Sequence, residues 1–159
     1  MQGQGAGESQ ASSAQFVVAV FDDWNTLHTV LVEMEAESAA RSAALLHSRG
    51  DVPPNLSALS LLGQTTELRF ERSGRHIACT VGQLAEALSS RMVKGARTFA
   101  EALRDWLGST QAEQLETHLE RGHLVLCVEL RTPEDFAIVC GRLVQASPHM
   151  VEVCNVTFE

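Results

Sequence analysis

The chain has 159 residues, 12 of them basic and 20 acidic, for a net charge of −8, and 45% of its side chains are apolar. That apolar share supports one domain with a core and argues against global disorder, while the acidic balance argues against nucleic acid, which is held largely by basic contacts to phosphate. Four cysteines (Cys79, Cys127, Cys140 and Cys154) stand far apart with no CxxC pair, so reduced core thiols are expected rather than disulfides or a metal cluster. No basic segment leads into an apolar one at the start, and no apolar run approaches the ~18 residues of a membrane span. A cytoplasmic protein is expected.

Residues 1–14, "MQGQGAGESQASSA", lack apolar periodicity and read as a flexible tail ahead of a single domain over 15–159. "QFVVAVF" (Gln15 to Phe21) reads as a buried strand. Asp22 and Asp23 then offer N-cap carboxylates to a helix whose Leu27, Val30, Leu31 and Met34 form one apolar stripe, ending near Ser38. Ser42 to Ser48 is a weaker strand, and Gly50 to Asn55, with Pro53 and Pro54, a turn. A hairpin follows, Glu67 to Phe70 against Arg75 to Cys79. Thr80 with Gln83 has the spacing of a capping box for a helix carrying Leu84, Leu88 and Met92. Phe99, Ala102, Leu103, Trp106 and Leu107 mark another helix, which Gly108 ends. Ser109 opens a short helix to about Arg121, with Gly122 just past its end. "HLVLCVEL" is a strand, "RTPED" a helix start, and the helix beyond it is expected to bury Phe136, Val139, Cys140, Leu143 and Val144. Met150 to Phe158 is the last strand.

The two ends of the chain share one order: strand, acidic junction, amphipathic helix, strand. Two βαβ halves predict an α+β fold of ferredoxin-like sandwich type, with residues 61–122 inserted between them as a hairpin and helices; a three-layer α/β sheet is the alternative. In such a sheet the leading strands of the two halves are expected to lie adjacent and parallel, which puts Asp22 and Asp23 beside Thr132 to Asp135 and gathers four carboxylates (Asp22, Asp23, Glu134 and Asp135) of the kind that hold Mg²⁺ or Ca²⁺. Helix capping explains the same residues: Thr132 as N-cap, Pro133 at the first position, and acids at the positive end of the dipole. Glycine-rich phosphate loops are absent, so no nucleotide cofactor is expected.

Six histidines (His28, His47, His76, His118, His123 and His149) show no zinc-hydrolase spacing. His118 and His123 straddle a helix end and a strand start, and a structural part is the simpler reading. An enzyme of dimeric α+β barrel type, with one of them in a cavity, is a further alternative. Trp24 and Trp106 fall at or beside helical core spacing. One face of each long strand, carrying Val17 and Ala19 in the first and Val125 and Cys127 in the other, is apolar on the side the flanking helices are expected to leave open. Those four residues are the expected interface, covered by a second copy in a homodimer or by the inserted helices.

"VVAVFDDWNTLHTVLVEM" near the start, with "WLGSTQAEQLETHLERGHLVLCVELRTPEDFAIVCGRLVQASPHMVEVCNV" near the end, resembles the bacterial general stress protein 17M-like (heat-induced stress protein) domain family. The resemblance covers about half of the chain. It implies a bacterial stress-associated protein and carries over no catalytic residues. The expectation is a non-enzymatic, self-associating domain, with small-ligand or divalent-cation binding as the alternative, and with no catalytic residue and no cofactor assigned.

Overall fold

In the computed structural model, residues 12–38, 40–49, 53–57, 65–69, 76–80, 99–146, 149 and 151–158 are described. The fold is α+β. Six strands, β1 (Ser12–Phe21), β2 (Ala40–His47), β3 (Thr65–Arg69), β4 (His76–Thr80), β5 (Leu124–Leu130) and β6 (Val151–Phe158), form one sheet in the order β3-β4-β2-β5-β1-β6. Every neighbouring pair is antiparallel. The helices are α1 (Trp24–Glu37), the single turn α2 (Pro54–Ser57), α3 (Phe99–Leu107), α4 (Ser109–Glu120) and α5 (Phe136–Ala146), the last entered through a 3-10 turn at Pro133–Asp135. Among the described residues no helix is long and apolar enough to cross a membrane. The helix expected around Leu84, Leu88 and Met92 lies outside the described residues.

β1 begins earlier than its apolar run. Ser12, Ser13 and Ala14, expected in the tail, pair with Phe158, Thr157 and Val156, because the long antiparallel partner β6 gives their backbone groups somewhere to bond. The centre of the sheet explains the unbroken apolar runs. Phe16 to Phe21 are all at most 2% exposed, as a strand covered on both faces requires. Val17, Ala19 and Phe21 stand opposite Val128, Leu126 and Leu124 and share a core with Leu27, Val30, Leu31 and Met34 of α1 and with Val139 and Leu143 of α5. Phe16, Val18 and Val20 stand opposite Glu129, Cys127 and Val125 on the other face, which α3 and α4 approach with buried Ala102, Leu103, Ala112, Leu115 and Leu119. Each fully buried Leu or Phe contributes about 1.5–3 kcal/mol relative to an exposed one.

This layering corrects the expected interface. Val17 and Ala19 face α1 and α5, not the open side, because a strand apolar on both faces carries no alternation to fix its phase. Val125 and Cys127 do face the other side, but at 0% and 3% exposure they are buried within the single chain, under the inserted helices. The expected burial along α5 is also partly overturned. Val139 and Leu143 are buried, whereas Phe136 is 38% and Val144 61% exposed, since the helix turns only one narrow stripe toward the sheet.

Local rules set the helix ends. Asp23 caps α1, accepting from the backbone N–H of Thr26 at 2.8 Å. The helix stops where Ser38 adopts a left-handed conformation, its N–H donating to the carbonyls of Met34 and Glu35. Arg142 of α5 ties the two helices of that layer by pairing with Glu33 and Glu37 of α1. Asp135 accepts from both the N–H and the hydroxyl of Thr132 at 3.2 Å, a capping arrangement that accounts for the "RTPED" junction.

Candidate metal centre

The antiparallel pairing of β1 and β5 divides the four carboxylates expected to meet. Phe21 pairs with Leu124 and Phe16 with Glu129, so Asp22 and Asp23 lie at the end of the sheet where β5 starts, while Glu134 and Asp135 follow its other end. The oxygen-rich cation site weighed as the alternative to capping at Asp22, Asp23, Glu134 and Asp135 is therefore not assembled. The error is one of direction: an antiparallel neighbour brings the start of β5, not its finish, beside the end of β1.

What the end of β1 does meet is histidine. His123 directly precedes β5, His118 lies in the last turn of α4, and His149 comes two residues before β6. The end of α4 fixes the first two. Gly122, at φ +85°, occupies the left-handed position after the helix; its N–H donates to the carbonyl of Leu119 at 3.0 Å, and that of His123 to the carbonyl of His118 at 2.9 Å. This paired closure is the Schellman motif, and it returns the chain over the last helical turn. The side chains follow the backbone: Nδ1 of His118 and Nδ1 of His123 are 2.9 Å apart.

His149 completes the group from the far end of the sequence. Its ring stacks on that of His123 with centroids 4.3 Å apart and planes 21° apart, and lies 4.9 Å from that of His118. Its Nε2 is 2.5 Å from Oδ1 of Asp22, and Nε2 of His123 is 3.4 Å from the same oxygen. One ring nitrogen from each of the three histidines lies within 4.8 Å of the others. His118 and His123 are half-buried and His149 is exposed, so the group opens to solvent on one side.

Arg49, just beyond β2, braces this end of the sheet. Its guanidinium donates to the backbone carbonyls of Gly122 and Asp22, joining the two turns that carry the site, and Ser48 donates to the carbonyl of Leu119 at 2.9 Å. Beneath them, His47 is 1% exposed and stands edge-on to Trp24, with ring centroids 5.1 Å apart. Nδ1 of His47 accepts from the N–H of Arg49 at 3.2 Å, and Nε2 has no hydrogen-bond partner among the described residues.

The electrostatics favour neutral imidazoles at His118 and His123 beside an ionised Asp22. Burial, then the neighbouring His149, holds His118 and His123 below the ordinary histidine range. The hydrogen bond from His149 holds Asp22 below the usual carboxylate range. Neutral imidazole is the form that ligates metals. Two nitrogens on a tetrahedral zinc with bonds of about 2.0–2.1 Å are separated by roughly 3.3 Å, so a shift of a few tenths of an ångström would seat His118 and His123 on one ion.

Of the four carboxylates weighed as a cation site, Asp22 alone belongs to this group. Asp23 is occupied in capping α1, and Asp135 in capping the turn before α5. Sequence spacing noticed His118 and His123 as a helix-end pair but carried no sign of His149. The usable signal was Gly122: a glycine closing a helix places the residue after it against the residue four before it. Comparison with family models, with curated proteins and with solved structures returned no match.

Proposed function

We propose that the chain binds one divalent transition-metal ion of the zinc class through His118, His123 and His149. The observation that carries this reading is the convergence of three imidazoles, from three separate segments, on one small volume. Three imidazole nitrogens suit Zn²⁺, Co²⁺, Ni²⁺ or Cu²⁺, whereas Mg²⁺ and Ca²⁺ want oxygen. The half-buried floor and open rim suit a site with a free coordination position. A metal-stripped sample scanned by thermal shift tests the reading. Zn²⁺ and Co²⁺ should raise the melting temperature and Mg²⁺ and Ca²⁺ should not, because an ion that binds only the folded chain stabilises it by mass action. His118→Ala and His123→Ala should abolish the rise, and no rise with any transition metal in the parent chain would remove the reading.

The order β6-β1-β5-β2, with helices connecting β1 to β2 and β5 to β6, supports a ferredoxin-like core with an insertion that adds β3, β4, α3 and α4. We place the protein in the cytoplasm, where Cys127, Cys140 and Cys154, which form no disulfide with one another, stay reduced, and keep nucleic acid out of its partners on the strength of its acidic charge. The stress-protein resemblance stands as a proposal of cellular context.

Self-association as a homodimer is the second reading, moved to a new surface. Phe136 and Val144, with Cys140 between them, lie at i, i+4 and i+8 on one flank of α5, and Val153 of the outermost strand β6 is 40% exposed. Exposed apolar side chains beside a sheet edge favour pairing with another copy. Light scattering should give a dimer mass that Val144→Lys returns to monomer; a monomer at every concentration would discard this reading.

A further inference from the structure

Asp22 and Asp23 are neighbours in sequence with different chemistry. Asp23 is consumed by α1, taking hydrogen bonds from the N–H of Thr26 at 2.8 Å and from its hydroxyl at 3.2 Å. Asp22 points the other way, and its Oδ1 faces Nε2 of His149 at 2.5 Å and Nε2 of His123 at 3.4 Å. A carboxylate only accepts, so the nitrogen that bonds it carries the proton. In a neutral imidazole the other nitrogen then holds a lone pair. For both rings that nitrogen is Nδ1, and in His123 it is already turned to Nδ1 of His118.

Resting on the three-histidine reading, we propose that Asp22 is a positioning residue and not a ligand: it holds His123 and His149 as their Nε2–H tautomers, so that both present Nδ1 to the ion beside His118. The stacking of His123 on His149 fits this role, since two near-parallel rings can offer the same nitrogen to one oxygen. Histidine ligands commonly donate their second N–H to a carboxylate, which fixes ring orientation and strengthens the ligand. Here the carboxylate is hydrogen-bonded to His149 and stands 3.4 Å from Nε2 of His123, close enough to orient both rings. The centre is then all nitrogen from the protein, with a solvent-facing position left for water or a small ligand, and without the carboxylate oxygen that Mg²⁺ and Ca²⁺ would need.

Titration of the metal-stripped full chain with Co²⁺, followed by visible absorption, tests this, with imidazole nitrogen NMR of the zinc-loaded chain beside it. Asp22→Asn and Asp22→Ala should weaken Co²⁺ binding about 10–100-fold and leave the band positions at saturation as in the parent chain. The nitrogen spectra should show Nδ1 of His123 and His149 on zinc. Unchanged affinity in both variants, a changed saturated spectrum, or coordination through Nε2 would each overturn the assignment. A parent chain that binds no Co²⁺ at all would instead overturn the three-histidine reading, and the role of Asp22 with it. The Asp22 side chain is 51% exposed, so both variants should fold, and far-UV circular dichroism checks that they do.

Discussion

The backbone N–H of His123 donates to the carbonyl of His118 at 2.9 Å, and the same two residues bring their Nδ1 atoms to 2.9 Å. The turn that closes α4 is therefore also the frame of the candidate metal centre, and Gly122 is its pivot. A Cβ at this position would meet Arg49 at an unremarkable 4.0 Å, so the cost of Gly122→Ala is conformational, arising from φ at +85°. That cost is about 1–2 kcal/mol for an L residue held left-handed. Urea unfolding should show a loss of this size, and the zinc-induced rise in melting temperature should shrink in parallel. A variant that loses stability but keeps the full zinc response would separate the turn from the site.

Acid should weaken the fold through His47. Burial, with the nearby Arg49 charge second, pushes this imidazole from 6.5 down to about 4. Between those values the unfolded chain binds a proton that the native chain refuses. Its contribution to stability is thus complete above pH 6.5, declines as pH falls toward 4, and is constant below that. Near-complete burial at 1% exposure supports a full effect, bounded at about 3 kcal/mol. His47→Leu should flatten this part of the stability profile, measured as urea midpoint against pH. At pH 7 the substitution should cost little, because it also removes a buried Nε2 that has no hydrogen-bond partner among the described residues.

Apolar runs and punctuation made much of the fold legible. Asp23, Gly108, Gly122 and Thr132 marked helix ends as the backbone uses them, and the hairpin, the paired halves and the final strand were read from turn residues and β-branched runs. What failed was what the chain does not encode locally. The face that Val17 and Ala19 occupy is not legible, because Phe16 to Phe21 are apolar throughout and a strand buried on both sides carries no alternation. Strand direction is not written in either half, and the antiparallel pairing of β1 with β5 brings Asp22 to His123 and His149 rather than to Glu134 and Asp135. His149 lies 127 residues from Asp22, so the contact exists only once β1, β5 and β6 are paired.

Ser38 closes α1 in a left-handed conformation at φ +56°, which glycine adopts without penalty. Its contacts are made by the backbone: its N–H reaches Met34 and Glu35, and its carbonyl accepts from Arg131 at 3.0 Å. Ser38→Gly should preserve all of them and raise stability by up to about 1 kcal/mol. Ser38→Val should lower it by more, since a β-branched residue is strained there. Thermal unfolding of the two variants should move in opposite directions.

Glu129 is a buried acid on a central strand of the sheet. It is 6% exposed, on the face of β5 that looks toward the inserted helices, where Ser42 of the neighbouring strand donates to it at 2.9 Å and Arg41 stands 4.0 Å away. A charge so placed depends on its donors, and removing one of them leaves the desolvation cost uncompensated. Ser42→Ala should therefore cost about 1–3 kcal/mol, more than an exposed serine. Replacing the acid instead, Glu129→Met keeps the volume and removes the demand for a donor. In that background Ser42→Ala should be nearly neutral, and the double-mutant cycle should show a coupling of about 1 kcal/mol or more. If the two changes simply add, the Ser42 hydroxyl does not support the carboxylate.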